Sequence, residues 1–278
     1  MIGLIQNELM KIFSKKSSWI YMIILFVLAL GGAIIYFFII NKFPEFGFGT
    51  ADSTSTWHFM NNIVYGLGSL VTLFSVIVAS AIVAAEFSSG TIKQLMIRPH
   101  ARWKILLSKY ITVILYALML LIGLCVVGFI IGILFFGLGD YNATTTEFTF
   151  TGDTFEAAIG AQAMKKLLLL IPSLIITVTI SFMLSTLFRS QALAVGVGVG
   201  VLFVSSTIGQ IIIIILNFGK LTWLKYLIFP HLDLSIYAIT DTLAKGVTVG
   251  FSAVLLLVYY AIFMTLTFLF FQKRDIAF

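Results

Sequence analysis

Apolar residues run along this chain in long, unbroken blocks. They do not alternate with polar residues as a half-exposed strand would, and the polar breaks fall between blocks. Six stretches contain no Asp, Glu, Lys, Arg or His: Trp19–Ile40, Ile63–Ala85, Tyr110–Leu138, Leu167–Leu187, Leu193–Leu216 and Gly246–Phe271. About 20 apolar residues suffice for a helix to cross the hydrocarbon core of a bilayer, and every block meets that length. Backbone amides in lipid must be paired within their own element, so each block predicts a membrane-spanning helix. A transmembrane barrel would show period-two alternation, which runs such as Ile211–Leu216 lack. The expected fold class is an all-α integral membrane protein with six spans. The first span has a basic flank (Lys11, Lys15, Lys16). It is longer than the apolar core of a cleavable signal peptide and is expected to be retained.

The segments between the blocks carry their own patterns. Ile2, Ile5, Leu9, Ile12 and Phe13 fall near one face of a helix. This predicts an amphipathic N-terminal helix lying on the cytoplasmic lipid surface, with a plain basic flank as the alternative. Between spans two and three, Ile92, Leu95 and Met96 share a face at i, i+3, i+4. A short helix is predicted from Ser88 or Ser89 to Ile97, capped by the serines and stopped by Pro99. Residues 41–62 and 139–166 are expected to be external polar loops. The first has Trp57 as an interface anchor, and the second has an extended or irregular threonine-rich piece around Thr144–Thr146. Residues 217–245 mix aromatic and charged groups. They are expected to form short re-entrant helices before span six, broken near Pro230.

Composition narrows the function classes. Charged residues make up 10% of the chain and hydrophobic ones 60%. A soluble domain carries roughly 25% charged residues, and disorder needs low hydrophobicity, so both are excluded. Six spans place both termini on one side. If that side is the cytoplasm, its segments hold 11 of the 17 basic residues and three of the 11 acidic ones. Topology follows this Lys/Arg bias, so the termini are expected inside. The net charge of +6 then describes a cytoplasmic membrane face, and no nucleic-acid partner is needed. The single cysteine, Cys125, has no disulfide partner and suits packing within span three.

No catalytic set is expected. His58, His100 and His231 are scattered, no His-Glu-x-x-His pair exists, and no P-loop motif occurs, so neither a metal site nor nucleotide chemistry is expected. The spans lack the ionisable groups that proton-coupled carriers keep despite a cost of at least ~2.5 kcal/mol each. Gly196, Gly198 and Gly200 superficially suggest a dinucleotide fingerprint, but they lie inside a span. Ala192, Gly196 and Gly200 instead form a small-residue stripe suited to helix packing, favoured within the protomer over a dimer contact. Glu86, closing span two, reads as a boundary charge or as a functional carboxylate.

Glu86-x-x-x-Gly90-Thr91 before a basic segment, the start Gln6–Phe13 and the ending Phe271–Ile276 together resemble the ABC-2 type permeases. These are the membrane subunits of one class of ATP-binding-cassette exporters, and the likeness is to those of peptide-antibiotic resistance and export. It covers nearly the whole chain, as one domain over residues 1–278. The resemblance implies that Glu86–Ile97 is a coupling helix seated on a separate ATPase. Glu86 and Thr91 would give polar contacts, Gly90 close approach, and Ile92 and Leu95 an apolar face, with Arg98, Arg102 and Lys104 as a basic flank. It also implies a pair of ATPase subunits holding ATP and Mg, a second permease copy or paralogue, and surrounding lipid. This chain would bind no cofactor itself and would sit in the cytoplasmic membrane. A non-transporting sensor or immunity protein that binds a membrane-active peptide is the alternative; a membrane enzyme is disfavoured by the missing catalytic groups.

Overall fold

A computed structural model describes residues 1–42, 54–91, 101–148, 154–219, 221–244 and 246–273. Six helices are long and apolar enough to cross a membrane: α2 (Lys16–Lys42), a composite second span (Thr56–Ser88), α6 (Arg102–Phe136), α7 (Ile159–Leu187), α8 (Gln191–Asn217) and α9 (Val249–Lys273). They are preceded by α1 (Ile2–Ser14). The composite span comprises α3 (Thr56–Phe59), a π-helical turn (Met60–Val64), α4 (Tyr65–Ile82) and α5 (Ala84–Ser88).

Burial sorts the helices into layers. In its most apolar 18-residue stretch α9 is only 17% buried, whereas the second span is 56% and α7 50%. The second span and α7 therefore form the centre, and the remaining helices turn aliphatic faces such as Val204, Val254, Leu257 and Val258 outward. Outward apolar faces are what a lipid solvent requires. One core packs Ala33, Val71, Tyr116, Leu120 and Leu174 between α2, α4, α6 and α7. A second packs Ile176, Leu216, Leu234, Tyr237 and Leu256 between α7, α8, α9 and the segment before α9.

The helices outrun the charge-free blocks. Lys109 lies inside α6 and Lys166 inside α7. Both are buried against carboxylates, so a charge does not mark the end of either helix. The loop expected at 41–62 contributes its described end to the second span, and residues 43–53 lie outside the described residues. Trp57, expected as an interface anchor, is half-buried against the rings of Phe129 and Tyr141. The threonine-rich piece is extended, as expected. It forms β1 (Thr144–Phe148), antiparallel to β2 (Thr154–Ala158). The re-entrant helices expected at 217–245 are instead three 3-10 turns, Thr222–Tyr226, Phe229–His231 and Leu234–Ala238. A hairpin of β3 (Thr242–Ala244) and β4 (Val247–Thr248) follows. Pro230 sits inside the middle turn, where its missing N–H costs nothing. The turns tuck into the bundle: a side chain at Gly209 of α8 would stand 2.6 Å from the Phe229 carbonyl oxygen.

The small-residue stripe also needs correcting. A Cβ at Gly196 or Gly200 meets nothing within 4 Å, so that face is not packed within the protomer. Gly198, between them, faces Ser80 instead. Close packing falls on Gly128 and Gly132 of α6. There a Cβ would lie 2.5 Å from Val64 and 2.8 Å from Thr56, so α6 presses directly on the start of the second span.

Candidate functional site: a buried ionic clamp

At the end of the bundle bearing α1, the second span breaks. Val83, between α4 and α5, keeps α-region dihedrals (φ −95°, ψ −44°), but its amide and that of Ala84 have no backbone carbonyl partner. Both donate instead to Ser185 Oγ of α7, each at 3.0 Å. A hydroxyl that accepts from both amides satisfies this break in the ladder in a buried setting. Glu86 follows on α5, within reach of α6.

Glu86 meets three other charged groups there. Lys109 Nζ, with its side chain fully buried, donates to Glu86 Oε1 at 2.5 Å and to Glu8 Oε2 at 2.8 Å. Lys11, nearly half exposed, donates to Glu8 Oε1 at 2.6 Å and reaches Glu86 Oε1 at 3.3 Å. Two cations and two carboxylates thus join α1, α5 and α6 with no net charge. Burial pushes the Glu8 carboxyl upward, but the charges and hydrogen bonds of Lys109 and Lys11 outweigh this and hold it below its usual value. Burial disfavours the charged Lys11 ammonium, yet Glu8 and Glu86 raise it overall. Glu86 Oε2 is buried without a hydrogen-bond partner among the described residues.

Glu8 and Ile12 are the buried residues of α1, and Phe13 packs against the first core, so the helix docks through one carboxylate together with part of its apolar face. Thr112 Oγ1 reaches the Ile5 carbonyl at 3.5 Å, and Ser18 Oγ donates to the Ile12 carbonyl at 2.6 Å. Ile2 and Met10 are exposed, as a helix lying against lipid would keep them.

The other residues singled out in the sequence fall around this clamp. Gly90 has φ +72°, and its amide donates to Phe87 O at 3.3 Å. Glycine therefore ends α5 in the left-handed conformation, and a Cβ there would meet nothing within 4 Å among the described residues. Ser88 Oγ donates back to Ala85 O and Ser89 Oγ contacts Thr91 Oγ1 at 2.9 Å, and residues 92–97 of the helix expected from Ser88 or Ser89 lie outside the described residues. Ile92, Leu95 and Arg98 lie outside the described residues. Arg102 is hydrogen-bonded to the Gln272 carbonyl at 3.4 Å, tying the start of α6 to the end of α9. Lys104 stands 5.5 Å over the Trp103 ring and is exposed. Sequence reasoning missed Glu8 and Lys109, treating each as a topological charge. The signal available was the apolar flank of Lys109, which puts that lysine on a packed helix face.

The opposite end holds a matching feature. Lys166 Nζ donates to both Glu147 oxygens, at 2.7 and 2.8 Å, and Asn61 of the π-helical turn donates to Glu147 Oε1 at 2.6 Å. These contacts pin the β1–β2 hairpin to the bundle. Below it a cavity of about 620 Å³ opens between α4, α7, α8 and the 3-10 turns. Among the described residues no group of His, Cys, Asp and Glu could hold a metal ion.

Six helices long and apolar enough to cross a bilayer, with apolar outer faces, define a multi-pass membrane protein. A family profile described as "Protein of unknown function (DUF2705)" matches residues 19–277, and the chain belongs to that family. Over its whole length it is 33% identical to "Uncharacterized protein YhcI" of Bacillus subtilis (strain 168), which it covers completely. It is 29% identical to "Uncharacterized membrane protein YdbK" of the same organism, covering 96% of this chain and 99% of that one.

Proposed function

We propose that this chain is the membrane subunit of an ATP-driven exporter of the ABC-2 type, moving a hydrophobic or amphipathic cargo. A separate ATPase pair, pressing on the Glu86–Ile97 segment from the cytoplasm, would supply the energy. The observation that carries this reading is the clamp. Lys109 ties the turn leading to Gly90 to both α1 and α6, so a push delivered there moves three helices together. Buried charges cost energy to desolvate and are kept where they give a specified arrangement or a function. The absence of a P-loop motif from the sequence fits a partner that burns the nucleotide.

Affinity purification of the tagged chain from its native membrane tests this. An ATPase is expected to co-purify, and Glu86→Ala or Gly90→Trp should uncouple its hydrolysis from transport. Recovery without any ATPase, or surface labelling that places Gly90 outside the cell, overturns the reading.

A further inference from the structure

The cavity between α4, α7 and α8 has a distinct polarity. Apolar groups on its walls are Leu70, Leu73, Leu170, Leu202, Phe203 and Ile213. Apart from the Gln210 carboxamide, its uncharged polar side chains present mainly acceptors. The hydroxyl protons of Ser69, Thr72, Thr177, Ser205 and Ser206 are spent on carbonyls of their own helices, at 2.8 to 3.2 Å. A hydroxyl bonded back in this way presents only lone pairs to the space beside it. Across the roof, Ser235 Oγ donates to Asp233, so the Tyr65 hydroxyl must donate to Ser235. Lys166, the cation lining the space, is neutralised by Glu147. Asp233 is exposed to the cavity mouth and enters none of the described ion pairs.

Depth adds a second constraint. From Tyr65 at the roof to Leu73 on the wall, α4 rises about 12 Å at ~1.5 Å per residue. On α7 and α8 the lining runs 11 steps, from Lys166 to Thr177 and from Leu202 to Ile213, about 17 Å at the same rise, so the space reaches about halfway through a hydrocarbon core of about 30 Å, with Tyr65, Lys166 and Asp233 at one end. Its volume of about 620 Å³ lies within the range of small-molecule sites.

We infer that this cavity binds a single-chain amphiphile with a protonated amine headgroup, its ammonium on Asp233 and its tail among the leucines. The inference names a cargo class for the exporter proposed above and rests on that reading only for its role in transport. Binding itself requires no ATPase.

The test uses the isolated full-length chain in phosphatidylcholine nanodiscs. Three photoreactive probes share one diazirine-bearing dodecyl tail and end in a primary ammonium, an alcohol or a sulfate. The ammonium probe should label cavity-lining peptides of α4, α7 or α8 saturably, at a concentration about tenfold lower than the alcohol. Asp233→Asn keeps the acceptor that caps Ser235 and removes the charge, and should bring the ammonium probe to the alcohol's value. Ser206→Trp fills the mouth and should abolish labelling by both. Equal saturation by all three headgroups, or labelling indifferent to Ser206→Trp, overturns the inference. So does a folded Asp233→Asn that keeps the preference. None of these results bears on whether an ATPase co-purifies.

Discussion

Lys109→Met is the most informative single change. The four clamp groups sum to zero charge, and removing Lys109 leaves one negative charge in excess between two carboxylates whose side chains are 7% and 14% exposed. The methionine fills nearly the same volume, so the cost is electrostatic. Stranding one partner of a buried pair costs about 3–5 kcal/mol. That corresponds to a fall of roughly 6–20 °C in Tm at the usual sensitivity of large domains. Hydrogen exchange of α1 should accelerate, because Glu8 loses its contact with α6. Adding Glu86→Gln restores neutrality and leaves the Glu8–Lys11 pair, at 2.6 Å, intact. The double variant should therefore recover most of the loss. Lys11→Met removes a half-exposed, screened group and should cost no more than about 1 kcal/mol. The assay is thermal unfolding in one detergent, with exchange mass spectrometry of residues 2–14. A loss under about 1 kcal/mol for Lys109→Met, or a double variant no better than the single, would refute the account of a charge-balanced clamp.

Three other outcomes follow from the same geometry. Ser185→Ala leaves the amides of Val83 and Ala84 without an acceptor and should destabilise by about 1–3 kcal/mol in thermal unfolding, whereas Ser185→Thr should be milder. Gly128→Val forces a side chain into Val64 and should lower Tm and expression, while Gly196→Val, facing open space, should leave the Tm of the monomer unchanged. His231 is fully buried, and its Nε2 must donate to the Lys225 carbonyl at 2.8 Å, so neutral Nδ1 accepts from Ser252. Burial pushes this imidazole below its ordinary value, partly offset by the Lys225 carbonyl. The unfolded segment therefore takes up a proton first. Stability should be level above about pH 6.5 and decline below it, read by hydrogen exchange over residues 222–252, and the slope should vanish in His231→Gln.

The sequence carried the spans because lipid imposes a crude rule: a helix must stay apolar for its full crossing. It carried much less of the clamp. A lysine at the edge of an apolar block looks the same whether it faces headgroups or a carboxylate on another element. Lys109 and Lys166 differ from Lys104 only in which partner the fold supplies. The same limit explains the glycines. Ala192, Gly196 and Gly200 keep perfect spacing on an unpacked face, while Gly128-x-x-x-Gly132, equally visible, makes the actual close contact. Spacing fixes a face, and only the surrounding helices decide what meets it. The 3-10 turns were illegible for a related reason: their stability comes from wedging Leu234 and Tyr237 into the second core, not from any local periodicity.

The clamp and the cavity share one element. Helix α4 is bounded at both ends by breaks in the α-helical hydrogen-bond ladder, the π-helical turn above and the step at Val83 below. Each joint is held by a side chain from outside the span: Glu147 takes the Asn61 amide, and Ser185 takes the amides of Val83 and Ala84. Between the joints lie 18 residues, about 27 Å of regular helix at the standard rise. A helix of that length with hydrogen-bonded hinges moves as a rod, since bending its middle would break buried backbone bonds that lipid cannot replace. Under the exporter reading, displacement of Glu86 would then tilt α4 as a unit. The residues carried furthest at the other end, Tyr65 to Leu73, are the ones that roof and wall the cavity. The two sites are therefore predicted to be energetically coupled. Ammonium-probe occupancy should protect the Glu86 turn from exchange, and Lys109→Met, which loosens the rod's lower hinge, should weaken that protection while leaving Asp233 and the cavity lining in place.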